Sequence, residues 1–184
     1  MNVIKELENQ VNKLKREKKF TLLIPEVRTN FVYAKKKAKN IKDIAGVDGR
    51  ITIVNNKPYP AGRIKFGASD HLARLLLMVR KYNPRYRSAI NFKFDKEILK
   101  IVKKVVQGRK IKIGVIERKR EPEKYQAKDK ESMPWKIAYL YKKFQEIPQI
   151  FYETAGLGKE PLFVILGENP REIFLIIKEI LKYL

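Results

Sequence analysis

The chain reads as an α/β domain, on three grounds. Apolar residues recur at spacings of three and four over residues 71–82, 95–107, 134–144 and 170–184, as they do on amphipathic helices. Between these stretches, short runs such as 51–54, 63–66 and 162–166 alternate or are wholly apolar and stop at glycine or asparagine, as strands do. A length of 184 residues, with 44% hydrophobic and 34% charged residues, suits one globular, soluble domain with a full-sized core.

Composition also excludes several classes of function. No apolar run approaches the roughly 18 residues of a membrane span, and the charged N-terminus lacks the pattern of a secretory signal. Without cysteine there is neither a disulfide framework nor thiolate chemistry, so a cytoplasmic protein is expected. One histidine and no cysteine cannot furnish the usual zinc ligand sets, whereas oxygen-ligated magnesium stays open. The net charge of +22, from 42 Lys+Arg against 20 Asp+Glu, favours anionic partners, and its field serves a phosphorylated metabolite as readily as a nucleic acid. A lysine-rich, cysteine-free composition also fits a protein from a hot habitat with no polyanion involved.

From the N-terminus, residues 3–19 place Ile4, Leu7, Val11 and Leu14 on a narrow stripe among charged neighbours. This helix is expected at the periphery, where it docks on the domain, pairs with another copy or connects to a preceding domain. Residues 1–19 are therefore set apart from a domain over 20–184. Residues 20–24 and 30–34 read as strands separated by Pro25. The stretch IKDIAGVDGR, 41–50, holds two glycines and two aspartates and predicts a tight loop, with Arg50 at its junction with the strand 51–54. An arginine there either lies in solvent or presents its planar fork to a phosphate. Asn55, Asn56, Pro58 and Pro60 turn the chain back toward 63–66, so Arg50 and His71 come from adjacent elements and can face one pocket.

The stretch AGRIKFGASDHLARLLL, 61–77, passes from strand to helix through Gly67, with Ser69 as the expected N-cap and His71, the only histidine, in the first helical turn. A helix start offers unpaired N–H groups and the positive end of the macrodipole, a ready site for phosphate or diphosphate, and the same field disfavours a protonated imidazole. A lone histidine is either a satisfied structural residue or a functional one, and this position favours function.

Leu72, Leu75, Leu76 and Val79 face inward on that helix, and 85–94 follows as a strand. Asp95 caps a helix that stops at Gly108, and 110–116 is a strand. Residues 117–132 are charged and aperiodic and predict a long loop, either a lid or a surface excursion. Pro134 opens the next helix, and 149–152 is a strand. The loop ETAGLGKEP, 153–161, brings Gly156, Gly158 and Lys159 together, although it lacks the spacing and the following hydroxyl residue of a Walker loop. Pro170 begins the closing helix.

Five blocks in order, IPEVRTNFVYA from Ile24, IAGVDGRI from Ile44, KFGASDHLARLL from Lys65, RSAINFKF from Arg87 and GLGKEP from Gly156, resemble the archaeal thiamine-phosphate synthase domain of the ThiN family. The resemblance runs from about Leu22 to Leu184. It implies a three-layer α/β/α fold with a mixed, mostly antiparallel sheet, similar to the class II aldolase type. It further implies a transferase that joins a pyrimidine methyl diphosphate to a thiazole phosphate, giving thiamine monophosphate and diphosphate with magnesium as cofactor. The carried-over catalytic residues are Arg50 and His71. Substrate or phosphate contacts are expected from Arg63, Lys65, Gly67, Ser69 and Asp70 around the glycine turn and from Gly156, Gly158 and Lys159. Glu153 and Ala155 depart from the family pattern, which commonly has an aspartate and a further glycine there. Members also occur fused behind a hydroxymethylpyrimidine kinase, so the first helix resembles the connector of that fusion, and a homodimer is expected of a small enzyme of this type.

Two other functions compete. A sensor would bind the same phosphates without turnover, but the regulators of this family carry a DNA-binding segment, for which 1–19 is too short. A nucleic-acid protein would interleave exposed aromatics with basic residues, and Tyr82 and Tyr86 beside Arg80, Arg85 and Arg87 come nearest to that.

Overall fold

Apolar residues on alternate sides of the central strands sort into two separate cores, one on each face of a single sheet. The computed structural model describes residues 2–109, 111–126, 129–156 and 158–184. Its strands are β1 (Phe31–Ala34), β2 (Ile44–Val47), β3 (Ile51–Val54), β4 (Lys57–Pro60), β5 (Ile64–Phe66), β6 (Ser88–Lys93), β7 (Ile113–Ile116), β8 (Ile150–Glu153) and β9 (Leu162–Gly167). The helices are α1 (Val3–Leu14), α2 (His71–Tyr82), α3 (Lys96–Gln107), α4 (Glu123–Gln126), α5 (Asp129–Phe144) and α6 (Pro170–Ile180). The main sheet runs β5-β2-β1-β6-β9-β8-β7, with β3 and β4 forming a separate hairpin. Neighbours in the main sheet are antiparallel except β7 and β8, which are parallel.

Phe31 and Tyr33 of β1, Phe92 of β6 and Phe163 and Ile165 of β9 pack beneath α1, α3 and α6, while Val32, Ala89, Val164 and Leu166 pack beneath α2 and α5. The period-two alternation of the strands thus buries both faces. The result is a three-layer α/β/α fold around a mostly antiparallel sheet, as the resemblance implied. Among the described residues no helix is long and apolar enough to cross a membrane.

Several local expectations need correction. The stretch 41–50 is not one tight loop, since Ile41–Asp43 makes a 3-10 turn and Ile44–Val47 is β2. Pro58 and Pro60 do not belong to a turn but to β4, which pairs with β3, while β5 pairs with β2. Residues 20–24 are not a strand: Lys18–Leu23 is a 3-10 turn that buries Phe20 and Leu23, because a short apolar run does not by itself distinguish strand from helix. The helix expected at the periphery is part of the core, with Leu7, Val11 and Leu14 buried against β1 and α6. The charged stretch 117–132 is not one loop, since Arg118–Arg120 makes a 3-10 turn, α4 follows and α5 starts at Asp129 with Pro134 inside it. The N-cap position of α2 is Asp70, not Ser69, and Asp70 makes no side-chain cap hydrogen bond. Lys110, at the start of the strand expected over 110–116, and Leu157, inside the glycine loop, lie outside the described residues, as do Ala127 and Lys128.

Candidate active site

The turn between β2 and β3 sets the first functional side chain. Gly49 and Arg50 both take positive φ, near +70°, a conformation that costs a non-glycine residue energy and is concentrated at functional sites. Arg50 is held there by main-chain bonds: its N–H donates to the Val47 carbonyl, its own carbonyl accepts from Ala61, and the guanidinium Nη1 donates to the Val27 carbonyl. The adjoining residues pair across the 24–30 segment, where Thr29 and Ile51 exchange hydrogen bonds of 3.1 and 2.7 Å. Arg50 and Asn30 are consequently next to each other at the end of that short ladder.

Across from this turn, the chain leaves β5, turns at Gly67 (φ +74°) and enters α2. His71 is the first residue of the helix, while Ser69 is buried just before it. A third wall comes from the glycine loop, where the backbones of Gly156 and Lys159 bond each other at 3.2 and 3.0 Å and Glu160 accepts from the N–H groups of Glu26 and Val27 at 3.0 and 3.1 Å. The Glu160 contact ties the 24–30 segment to the loop.

These walls enclose a cavity of about 370 Å³. Of the expected residues, Arg50, Ser69, Asp70, His71, Gly158 and Lys159 line it. Arg63, Lys65, Gly67 and Gly156 are not part of its lining. Lys65 pairs with Asp48 at 2.8 Å, Arg63 is exposed beyond its main-chain bond to Asp48, and the two glycines shape their turns.

Residues that sequence patterns did not single out complete the wall: Asn30, Asn91, Arg118 and Glu153. Register brings the last two together, because Ile116 of β7 pairs beside Glu153 of β8 and Arg118 follows two residues on. The buried Arg118 guanidinium contacts Glu153 at 2.7 Å and Glu121 at 2.9 Å, and the fully buried Lys136 ammonium lies 3.0 Å from Glu153. Burial pushes the Glu153 carboxyl up, but Lys136 and Arg118 outweigh it with some help from His71, so the group is held below the usual carboxylate range. A signal existed for Asn91, a lone amide between apolar residues, and for Arg118 and Glu153, charges at the ends of adjacent apolar strands.

Magnesium, implied by the family resemblance, meets a poor protein donor set. Among the described residues no group of three or more His, Asp or Glu is arranged to hold a metal ion. Of the carboxylates lining the cavity, Glu153 is engaged by Arg118 and Lys136, Glu160 by two N–H groups and Asp70 by Arg74 at 2.7 Å. Hard cations of this kind need unengaged oxygens.

The family model for thiamine-phosphate synthase ThiN matches residues 6–179. The chain belongs to this family. Thiamine-phosphate synthase ThiN of Methanothermobacter thermautotrophicus is 32% identical over 89% of this chain and 85% of its own length. The bifunctional thiamine biosynthesis protein ThiDN of Methanocaldococcus jannaschii is 36% identical over 93% of this chain, which spans 38% of that longer relative. Among solved structures, the C-terminal domain of a phosphomethylpyrimidine kinase superposes with a TM-score of 0.91 at 40% identity, covering 97% of each chain. A sugar-phosphate aldolase from Thermotoga maritima, 9% identical with a TM-score of 0.51 over 95% of this chain and 91% of its own, shares the fold alone. Membership of this family makes the protein a transferase, and the match from residue 6 takes α1 into the family unit.

The basic cluster near Tyr82 and Tyr86 has a different use. Arg80 donates to the carbonyls of Lys36, Pro84 and Tyr86, and Arg87 donates to that of Ala34 and lies over the Tyr33 ring. Tyr82 packs on Tyr141, and the part-buried Tyr86 hydroxyl has its pKa pushed up to about 12 by burial. These groups tie together the ends of β1, α2 and β6.

Proposed function

We propose that the chain condenses 4-amino-2-methyl-5-(diphosphomethyl)pyrimidine with 4-methyl-5-(2-phosphoethyl)thiazole, giving thiamine monophosphate and diphosphate. The observation that carries this reading is the convergence of Arg50, His71 and Lys159 with the start of α2 on one cavity in a member of the ThiN family. In the reaction the C–O bond between the pyrimidine methylene and diphosphate breaks, its electrons leave with the diphosphate, and the thiazole nitrogen forms the new C–N bond. The aminopyrimidine spreads the positive charge left on the methylene, so the protein's task is to neutralise the departing diphosphate. Arg50 and Lys159 supply positive charge, the helix start supplies its dipole, and His71 hydrogen-bonds the diphosphate. Magnesium enters this reading only as a counter-ion of the diphosphate oxygens, and no step depends on it.

Purified protein given both precursors should release diphosphate and form thiamine monophosphate. Arg50→Ala should lower turnover by about a hundredfold or more while the thermal midpoint stays near that of the parent, and His71→Asn should also lower it. Binding of both phosphates without diphosphate release would favour a sensor. Near-normal turnover with lost stability in His71→Asn would make the histidine structural.

A further inference from the structure

Among the described residues, two uncharged side chains of the cavity wall each keep a buried polar atom without a hydrogen-bond partner: Asn30 Oδ1 and Ser69 Oγ, on residues 7% and 2% exposed. A buried polar atom left unpaired costs on the order of 1–3 kcal/mol, so one that faces a cavity calls for a partner there. The neighbouring amide shows the contrast, since Asn91 accepts from the Asn30 N–H at 2.8 Å and donates to the Arg28 carbonyl at 3.1 Å. Asn91 is thereby committed to fixing the Asn30 backbone and leaves the Asn30 side chain for the cavity.

Both unpaired groups meet over Gly46 of β2. A Cβ built on Gly46 would stand 3.3 Å from Ser69 Cβ and 3.6 Å from Asn30 Oδ1, with Val32 Cγ1 at 3.2 Å. Only a residue without a side chain leaves that space, so the two groups sit around one spot. The surrounding surface is apolar, with Leu72, Leu75 and Val164 in the same wall. Arg50 stands beside Asn30 through the Thr29–Ile51 pairing. The cavity therefore places a neutral hydrogen-bonding corner next to a cationic one, which matches a flat, uncharged heterocycle carrying an anion on a short arm.

We propose that Asn30 and Ser69 form the subsite that reads the exocyclic amino group and adjacent ring nitrogen of an aminopyrimidine, while Arg50 holds the attached phosphates. An amide offers one acceptor and one donor side by side, the complement of an amino group next to a ring nitrogen, and asparagine pairs with adenine in the same bidentate way. Ser69 Oγ accepts the second amino hydrogen. The proposal rests on the thiamine-phosphate reading for the identity of the ring, but its test needs no turnover.

Calorimetry on the full chain decides it, with 4-amino-2-methyl-5-hydroxymethylpyrimidine phosphate, the same phosphate lacking the amino group, and inorganic diphosphate as probes. The parent should bind the amino compound about tenfold or more tightly than its counterpart, because a site built for an N–H rejects the analogue without one. Asn30→Ala keeps the backbone bond to Asn91. It should bring the two pyrimidines within about threefold of each other and leave inorganic diphosphate affinity unchanged. Ser69→Ala should lose part of the discrimination and serves if Asn30→Ala fails to fold. Equal binding of the two pyrimidines by the parent, or discrimination surviving in both variants, overturns the proposal. Discrimination without diphosphate release in the synthase assay would sink the catalytic reading and keep the subsite.

Discussion

Glu117 illustrates how a single side chain sets the local pH response. Its carboxylate receives the Lys143 ammonium at 2.7 Å, the Tyr139 hydroxyl at 3.2 Å and Arg120 at 2.9 Å. The Lys143 contact leads in holding its pKa down to about 2 against an ordinary 4.5. A carboxyl depressed in the folded state contributes stability that is complete above its unfolded value and is lost as pH falls through its folded value. Glu117→Gln should therefore lower the thermal midpoint at neutral pH, and the gap from the parent should close between pH 4.5 and about 2. Parallel melting profiles across that window would show that the contact contributes nothing to folding. At this level the sequence revealed residues by type and position: His71 as the only histidine at a helix start, and Arg50 after a glycine loop. Charges at the ends of apolar strands hinted at Arg118 and Glu153, but their convergence with Asn30 on one cavity depends on strand register, which consecutive residues do not state.

Segments behaved differently according to whether their pattern was local. The strand and helix succession could be read because alternation and the 3.6-residue period are written in consecutive residues. What a stripe packs against is not. The Ile4, Leu7, Val11 and Leu14 stripe of α1 is narrow and flanked by charge, which suits a peripheral helix as well as one docked on a sheet, and tertiary contacts decide in favour of docking. The 117–132 stretch misled for a related reason. Its described charges are divided, with Arg118 and Glu121 buried and paired with each other and Arg118 also with Glu153, while Lys119, Arg120, Glu123 and Lys124 are exposed, so inward and outward charges mix and leave no period to read. The burial of α1 makes a definite prediction. Leu7→Ala removes a fully buried side chain from the core and should cost about 2–5 kcal/mol of stability in denaturant titration. Removal of residues before Lys18 should leave the remainder unfolded or molten, because it strips Leu7, Val11 and Leu14 together from β1 and α6. A truncated chain with a sharp, near-parental melting transition would return α1 to the periphery.

The net charge of +22 acts on the molecule in two opposed ways. Mutual repulsion destabilises the compact state, while the field raises the local concentration of anions, the proposed phosphorylated substrates included. Some of the cations are engaged elsewhere, since Arg80 and Arg87 donate to main-chain carbonyls and Arg85 pairs with Glu168. In the proposed reaction Arg50 and Lys159 provide the close contacts and the remaining cations a diffuse attraction. Direct contacts at a few ångströms are screened less than a diffuse field, which fades over a Debye length of about 10 Å at 0.1 M salt. Raising sodium chloride from about 50 to about 500 mM should thus increase the thermal midpoint as repulsion is screened. The same series should lower kcat/KM for the pyrimidine diphosphate severalfold through KM, with kcat nearly constant because the contacts that act on the departing diphosphate lie inside the cavity. Arg50→Ala should keep the same salt slope from a lower starting rate. If kcat/KM were flat across the series while the midpoint rose, the excess of lysine and arginine would have no part in substrate capture, and the basic composition would belong to the protein's thermal adaptation alone.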